Sequence, residues 1–134
     1  MFSGDLDLDA AERLIDGWQS AIEKRASEAK TLAQRLGGLR ATARSKDGLV
    51  EVTVGASGVV NALSLDEKTR GQSASETSRQ ILAVMREAQA ELARRTAEVT
   101  AETLGPDSTT GQAIVDSFAQ RFGGAAQADA DARP

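Results

Sequence analysis

The segment Ser45 to Asp66, SKDGLVEVTVGASGVVNALSLD, constrains this chain more than any other, because it spells three short strands joined by two tight turns. Asp47-Gly48, flanked by alternating residues, is the strongest short-range hairpin signal, since the pair tolerates the positive φ values that a right-twisted two-residue turn demands. Long stretches with helical periodicity lie on either side. The expected order is helix, three-stranded antiparallel meander, helix, which is an α+β fold. A sheet of three strands cannot cover itself, so it must lie against the helices or pair with a second copy.

The first helix is expected from Leu6–Asp9 to Leu36, with Gly37-Gly38 as its stop. Ala11, Ile15, Trp18, Ile22, Ala29, Leu32 and Leu36 recur at steps of three and four, and Arg25 fills the one gap. The stripe reads either as a seam for a partner helix, with Ile15, Trp18 and Ile22 at its centre, or as an intramolecular core face. A second helix is expected from Ser75 to Leu104 on the stripe Ile81, Leu82, Met85, Ala88, Leu92 and Val99, closed by Gly105-Pro106. Asp107-Ser108 then caps a short third helix, Thr110 to Phe122. The domain is placed at residues 1–122, and the stretch 123–134, which lacks apolar periodicity, reads as a disordered tail.

Strand register follows by arithmetic. With Asp47-Gly48 as the turn, Arg44 faces Glu51, Thr42 faces Thr53, and Ala43 and Ala41 face Val52 and Val54. One face is then small and apolar, with Val52 on its buried side and counted with Ile15, Trp18 and Ile22 as a seam residue of the expected dimer. The other carries Arg40, Thr42, Arg44, Lys46, Glu51 and Thr53. The second turn, Gly55 to Gly58, sets Val59 opposite Val54 and Leu63 opposite Val50, and puts Asn61 on the apolar side, where it would need a hydrogen-bond partner.

Composition removes most chemistry. The 134 residues contain no Cys and no His, which takes away disulfides, thiolate metal sites and the usual proton shuttle, so no enzyme, cofactor or metal is expected. Asp5, Asp7 and Asp9 alternate but lack the turn Gly and terminal Glu of an oxygen-ligand metal loop, and fit a helix start instead. The Asp107 to Thr110 hydroxyls have no base beside them and read as a cap, and Gly55 and Gly58 open no helix that would cradle a phosphate. The acidic N-terminus, MFSGDLDLDA, carries no apolar run, and no segment is apolar enough for a membrane span, so a cytoplasmic protein is expected. Aromatic residues make up only 3% of the chain, which leaves a core of Leu, Val, Ile and Ala and favours oligomerisation.

A long N-terminal helix, then GLVEVTVGASGVVNALSLD, then a helix entered through SASETSRQILAVMREAQAEL resembles the YbaB/EbfC family of bacterial nucleoid-associated proteins. The resemblance spans Leu6 to Leu104, and its most specific element is the G-L-V-x-V-T-V block followed by G-x-V and an Asp-terminated third strand. It implies an obligate homodimer of α-β-β-β-α protomers, sheets joined centrally and helices projecting like tweezers, with sequence-tolerant binding of double-stranded DNA at the nucleoid. The extension LGPDSTTGQAIVDSFAQRF is similar to longer actinobacterial versions, some of which are associated with type VII secretion.

Charge is the one functional signal with spatial content. The chain is acidic, net −4, yet Lys24 to Lys46 carries Lys24, Arg25, Lys30, Arg35, Arg40, Arg44 and Lys46 against Glu28 alone, a local net of +6. These seven are the candidate phosphate contacts. A solvated face is the competing reading, with Arg44 paired to Glu51 across the strand and Arg25 lying over apolar surface. No aromatic residue interleaves with them, which speaks against single-strand stacking. Two functions follow: a DNA-binding homodimer working through this stretch, or a protein-binding accessory factor or chaperone of the same fold working through its helical seams.

Overall fold

The computed structural model describes residues 3–123. In chain order it comprises α1 (Ser3–Gly37), β1 (Ala41–Arg44), β2 (Val50–Val54), β3 (Val60–Leu65), a 3-10 turn (Glu67–Gly71), α2 (Ala74–Leu104), α3 (Thr109–Phe118) and a π turn (Ala119–Gly123). This is the α+β layout that the turn chemistry predicts. Helix α1 begins earlier than expected, in keeping with a start rich in carboxylates that suits the positive end of the helix macrodipole. Helix α2 is capped by Ser73, whose side chain accepts from the Glu76 N–H, and stops at Gly105, φ 90°. Ser108 caps α3 by accepting from the Gly111 N–H. The third helix is shorter than expected: it ends at Phe118 and widens into the π turn. Gly123 closes that turn, and the rest of the expected tail, residues 124–134, lies outside the described residues.

The sheet is an antiparallel meander in the order β1-β2-β3. Between β1 and β2 the expected pairs hold, from Ala41 with Val54 to Arg44 with Glu51. The turn does not take the expected two-residue form. Ser45 N–H donates to Val50 O at 2.9 Å and Gly48 N–H to Ser45 O at 2.9 Å, which leaves Lys46 to Leu49 as a four-residue loop with Gly48 at φ 75°. The Asp47 carboxylate organises it by accepting from Ser45 Oγ at 2.6 Å and Leu49 N–H at 3.1 Å. Widening the loop equally on both sides preserves the register.

Between β2 and β3 the register is corrected. Val54 pairs with Val60, not Val59, and after a bulge Val52 pairs with Leu63 and Val50 with Leu65. Asn61 is the extra residue, and its amide lies over Gly55, where a side chain would collide with it. The slip relative to expectation is two residues for Leu63, so its face is unchanged, whereas Asn61 is exposed and needs no protein partner.

Helix α2 covers one face of the sheet. Val84, Ala88 and Leu92 pack on Ala41, Val50, Val52 and Val54, all nearly inaccessible. The buried spine steps by four residues and ends in Thr96 and Thr100, so Leu82, expected in the stripe, falls on the exposed flank. Thr100 Oγ1 donates to Thr96 O at 2.6 Å, which satisfies the hydroxyl inside the core. Helix α3 closes the end of this layer. Gly111 brings it against Thr100, Phe118 is buried, and Phe122 packs over Gly58, whose φ of 79° and contact with the ring exclude a side chain.

Candidate nucleic-acid interface

The seven basic residues of the sequence reading are distributed over four places in the fold. Lys24, Arg25, Lys30 and Arg35 belong to α1, Arg40 to the link before β1, Arg44 to the end of β1, and Lys46 to the β1–β2 loop. The strand face expected to unite Arg40, Arg44 and Lys46 is not formed as such. Only Arg44 lies within the strand, and Arg40 and Lys46, six residues apart in largely extended chain, sit at opposite ends of it, roughly 20 Å apart at the strand rise.

Ion pairing divides the set further. Arg35 donates to Glu102 Oε2 at 2.6 Å and Thr103 Oγ1 at 2.8 Å, which fastens the end of α1 to the end of α2. Arg44 makes a bidentate pair to Glu51 Oε2 across the hairpin, as the solvated-face reading anticipates. Lys24, Arg25, Lys30, Arg40 and Lys46 have no ion pair among the described residues and are exposed. Arg25 also lines an open cavity of about 780 Å³ with Ala29, Leu32, Leu36, Leu104 and Ile114, consistent with a stem laid over apolar surface.

The loop that carries Lys46 meets elements that bear bases outside the sequence-read stretch. Asp66 N–H donates to Leu49 O at 2.8 Å and Gln80 Nε2 to Asp47 Oδ2 at 2.8 Å, so the β1–β2 loop, the 3-10 turn and the start of α2 gather at one end of the sheet. Lys68 and Arg70 lie in the 3-10 turn and Arg79 near the start of α2; Arg70 is paired to Glu67 and Arg79 to Glu76, which leaves Lys68 exposed and without an ion pair among the described residues. Its sequence signal is the Asp66 cap of the 3-10 turn, which places Lys68 directly after the strand. The hydrogen bonds from Ser45, the Leu49 N–H and Gln80 hold the Asp47 carboxyl below the usual carboxylate range, so it stays ionised beside Lys46.

The seam residues have a different fate. Ile15, Trp18 and Ile22 are exposed at 50%, 68% and 48%, so the intramolecular-core alternative fails for them. Val52 goes the other way: 1% exposed under α2, it is part of the chain's own core and offers no surface to a partner. Strand β3 is exposed along its length, with Val60, Leu63 and Leu65, and Val59 just before them, uncovered by α2.

No group of three or more metal-ligating side chains exists among the described residues, and none of their helices is long and apolar enough to cross a membrane. Fold and surface define a class: a small α+β domain with one covered sheet face, an exposed apolar edge strand and scattered cations that have no ion pair among the described residues. The profile of the YbaB/EbfC DNA-binding family matches residues 15–106, and the chain belongs to that family. No curated protein matches the chain as a relative.

Proposed function

We propose that the protein is a nucleoid-associated homodimer that binds double-stranded DNA with little regard to sequence. The observation that carries this reading is the family match over residues 15–106, which contains all seven basic residues, five of them without an ion pair among the described residues. Phosphate contact by Lys24, Lys30, Arg40 and Lys46 supplies affinity without base readout. The dimer is supported by the β3 edge, where Val60, Leu63 and Leu65 stand 40%, 48% and 44% exposed beside an open row of backbone groups. Doubling the protomer doubles the phosphate contacts.

Gel retardation at about 50 mM salt tests the reading, with an expected non-specific dissociation constant on the order of 10⁻⁶ to 10⁻⁴ M at physiological salt and a log-log salt slope of about −0.9 per phosphate contact. A variant carrying Lys24→Glu, Lys30→Glu, Arg40→Glu and Lys46→Glu should lose retardation while keeping its dimer mass. Arg44 is left intact because it belongs to the Glu51 pair. Absence of retardation by the unaltered protein, or equal retardation by the variant, refutes the assignment.

A further inference from the structure

We infer that the N-terminal half of α1 is a docking face for a basic amphipathic helix of another protein, separate from the DNA contacts. Every residue from Asp7 to Ser27 is exposed. Helix α1 meets α2 only toward its own C-terminus, at the buried Leu32 and the Arg35–Glu102 pair, and α2 stops at Gly105. Upstream of Lys24 the helix therefore extends without a neighbouring element among the described residues, over about 26 Å from Asp7 to Glu23 at about 1.5 Å per residue.

Two parallel rows run along this overhang. Leu8, Ala11, Ile15, Trp18 and Ile22 follow steps of three and four and form the apolar row. One position on from each stand Asp9, Glu12, Asp16, Gln19 and Glu23, so four carboxylates flank the apolar row on one side. None of the four carboxylates has an ion pair among the described residues. From Asp7 to Glu23 the sole base is Arg13, whose Nε donates to Asp9 O at 3.3 Å.

Charge selects the occupant. A second copy brings the same apolar row but no basic row, and an antiparallel copy sets carboxylates against carboxylates, which is unfavourable. DNA is repelled for the same reason. A helix with apolar residues at heptad spacing and Lys or Arg beside them satisfies both rows at once, in the helix-in-groove manner of recognition. A lone helix segment of this length is marginal in water, so such a partner also stabilises the overhang.

The chain has one tryptophan, Trp18, at the centre of the apolar row, and it reports occupancy directly. The full chain is titrated with two synthetic 21-residue helical peptides that share Leu and Ile at the seam positions, one flanked by Lys and the other by Glu. The Lys-flanked peptide should shift Trp18 emission to the blue and bind at least about tenfold more tightly, given four charge pairs of modest individual worth. Substituting Asp9→Lys, Glu12→Lys, Asp16→Lys and Glu23→Lys should reverse that preference, and an Ile15→Ser, Ile22→Ser double variant should bind neither peptide. Equal binding of the two peptides, binding of neither, or a blue shift of Trp18 that grows with the concentration of the protein alone overturns the inference, the last by showing that a second copy fills the seam. A protein that fails to retard DNA yet binds the Lys-flanked peptide removes the DNA assignment and leaves this one standing.

Discussion

Replacing Phe118 by alanine should destabilise the protein by about 3 kcal/mol. Phe118 is 7% exposed, belongs to the cluster that holds Val54 and Leu92, and stacks on Phe122 with ring centroids 4.7 Å apart at 47°. The Arg121 guanidinium lies 5.4 Å from the Phe118 ring and 5.6 Å from that of Phe122, adding a cation–π contact on the outer side. Removing a buried Phe ring costs about 3 to 5 kcal/mol in core positions. The lower end applies because α3 sits at the rim of the core, where neighbours can relax into the space. Loss of the aromatic pair is included in that figure and by itself accounts for about 0.5 to 1.5 kcal/mol. Urea unfolding followed by far-UV circular dichroism, at one fixed protein concentration because assembly shifts apparent stability, measures the change. With a slope of about 1 to 3 kcal/mol per molar, the midpoint should fall by roughly 1 to 3 M. Phe118→Leu, which retains most of the apolar volume, should cost less than half as much and guards against a variant too unstable to measure. A loss below about 1 kcal/mol for Phe118→Ala would show that α3 is not docked in solution, since a core truncation of this size cannot be so cheap.

Two further outcomes follow from the geometry. Val52→Asp places an unpaired carboxylate beneath α2 at a site 1% exposed and should abolish folding, seen as loss of the cooperative melt; a folded variant would refute the strand register. The hydrogen bond from Arg94 leads the causes that hold the Glu91 carboxyl at about 2, against an ordinary value of 4.5. A depressed folded-state value means that its stabilisation is present above about pH 4.5 and is lost as pH falls toward 2, so Glu91→Gln should flatten the melting temperature over that window; identical slopes for both proteins would contradict the pairing.

Much of the fold is readable from local chemistry. Ser73, Ser108, Gly105 and the alternation of β2 mark element ends and faces because each acts within a few residues of itself. The β2–β3 register is not readable in this way, since the bulge depends on Asn61 settling over Gly55 across the turn. Sequence likewise reveals how many bases crowd Lys24 to Lys46, but not which ones acids occupy. Glu51 can be found opposite Arg44 by strand arithmetic, whereas Glu102 is 67 residues from Arg35 and meets it only through the packing of α1 on α2. Lys68 escapes notice for the same reason, since its turn is fixed to the β1–β2 loop by the bond from Asp66 N–H to Leu49 O, seventeen residues apart.

The contact of Phe122 with Gly58 changes what counts as a separable piece of this molecule. The family match closes at residue 106, yet the turn that launches β3 is gripped by a side chain sixteen positions later. Gln89 adds a second hold, its Nε2 donating to Gly58 O at 3.2 Å. An expression fragment trimmed to the matched region would free the entry to the edge strand and uncover part of the core at the same stroke. What looks in sequence like an appended ornament is mechanically a buckle, and length variants in this segment alter the very strand through which two copies are proposed to meet.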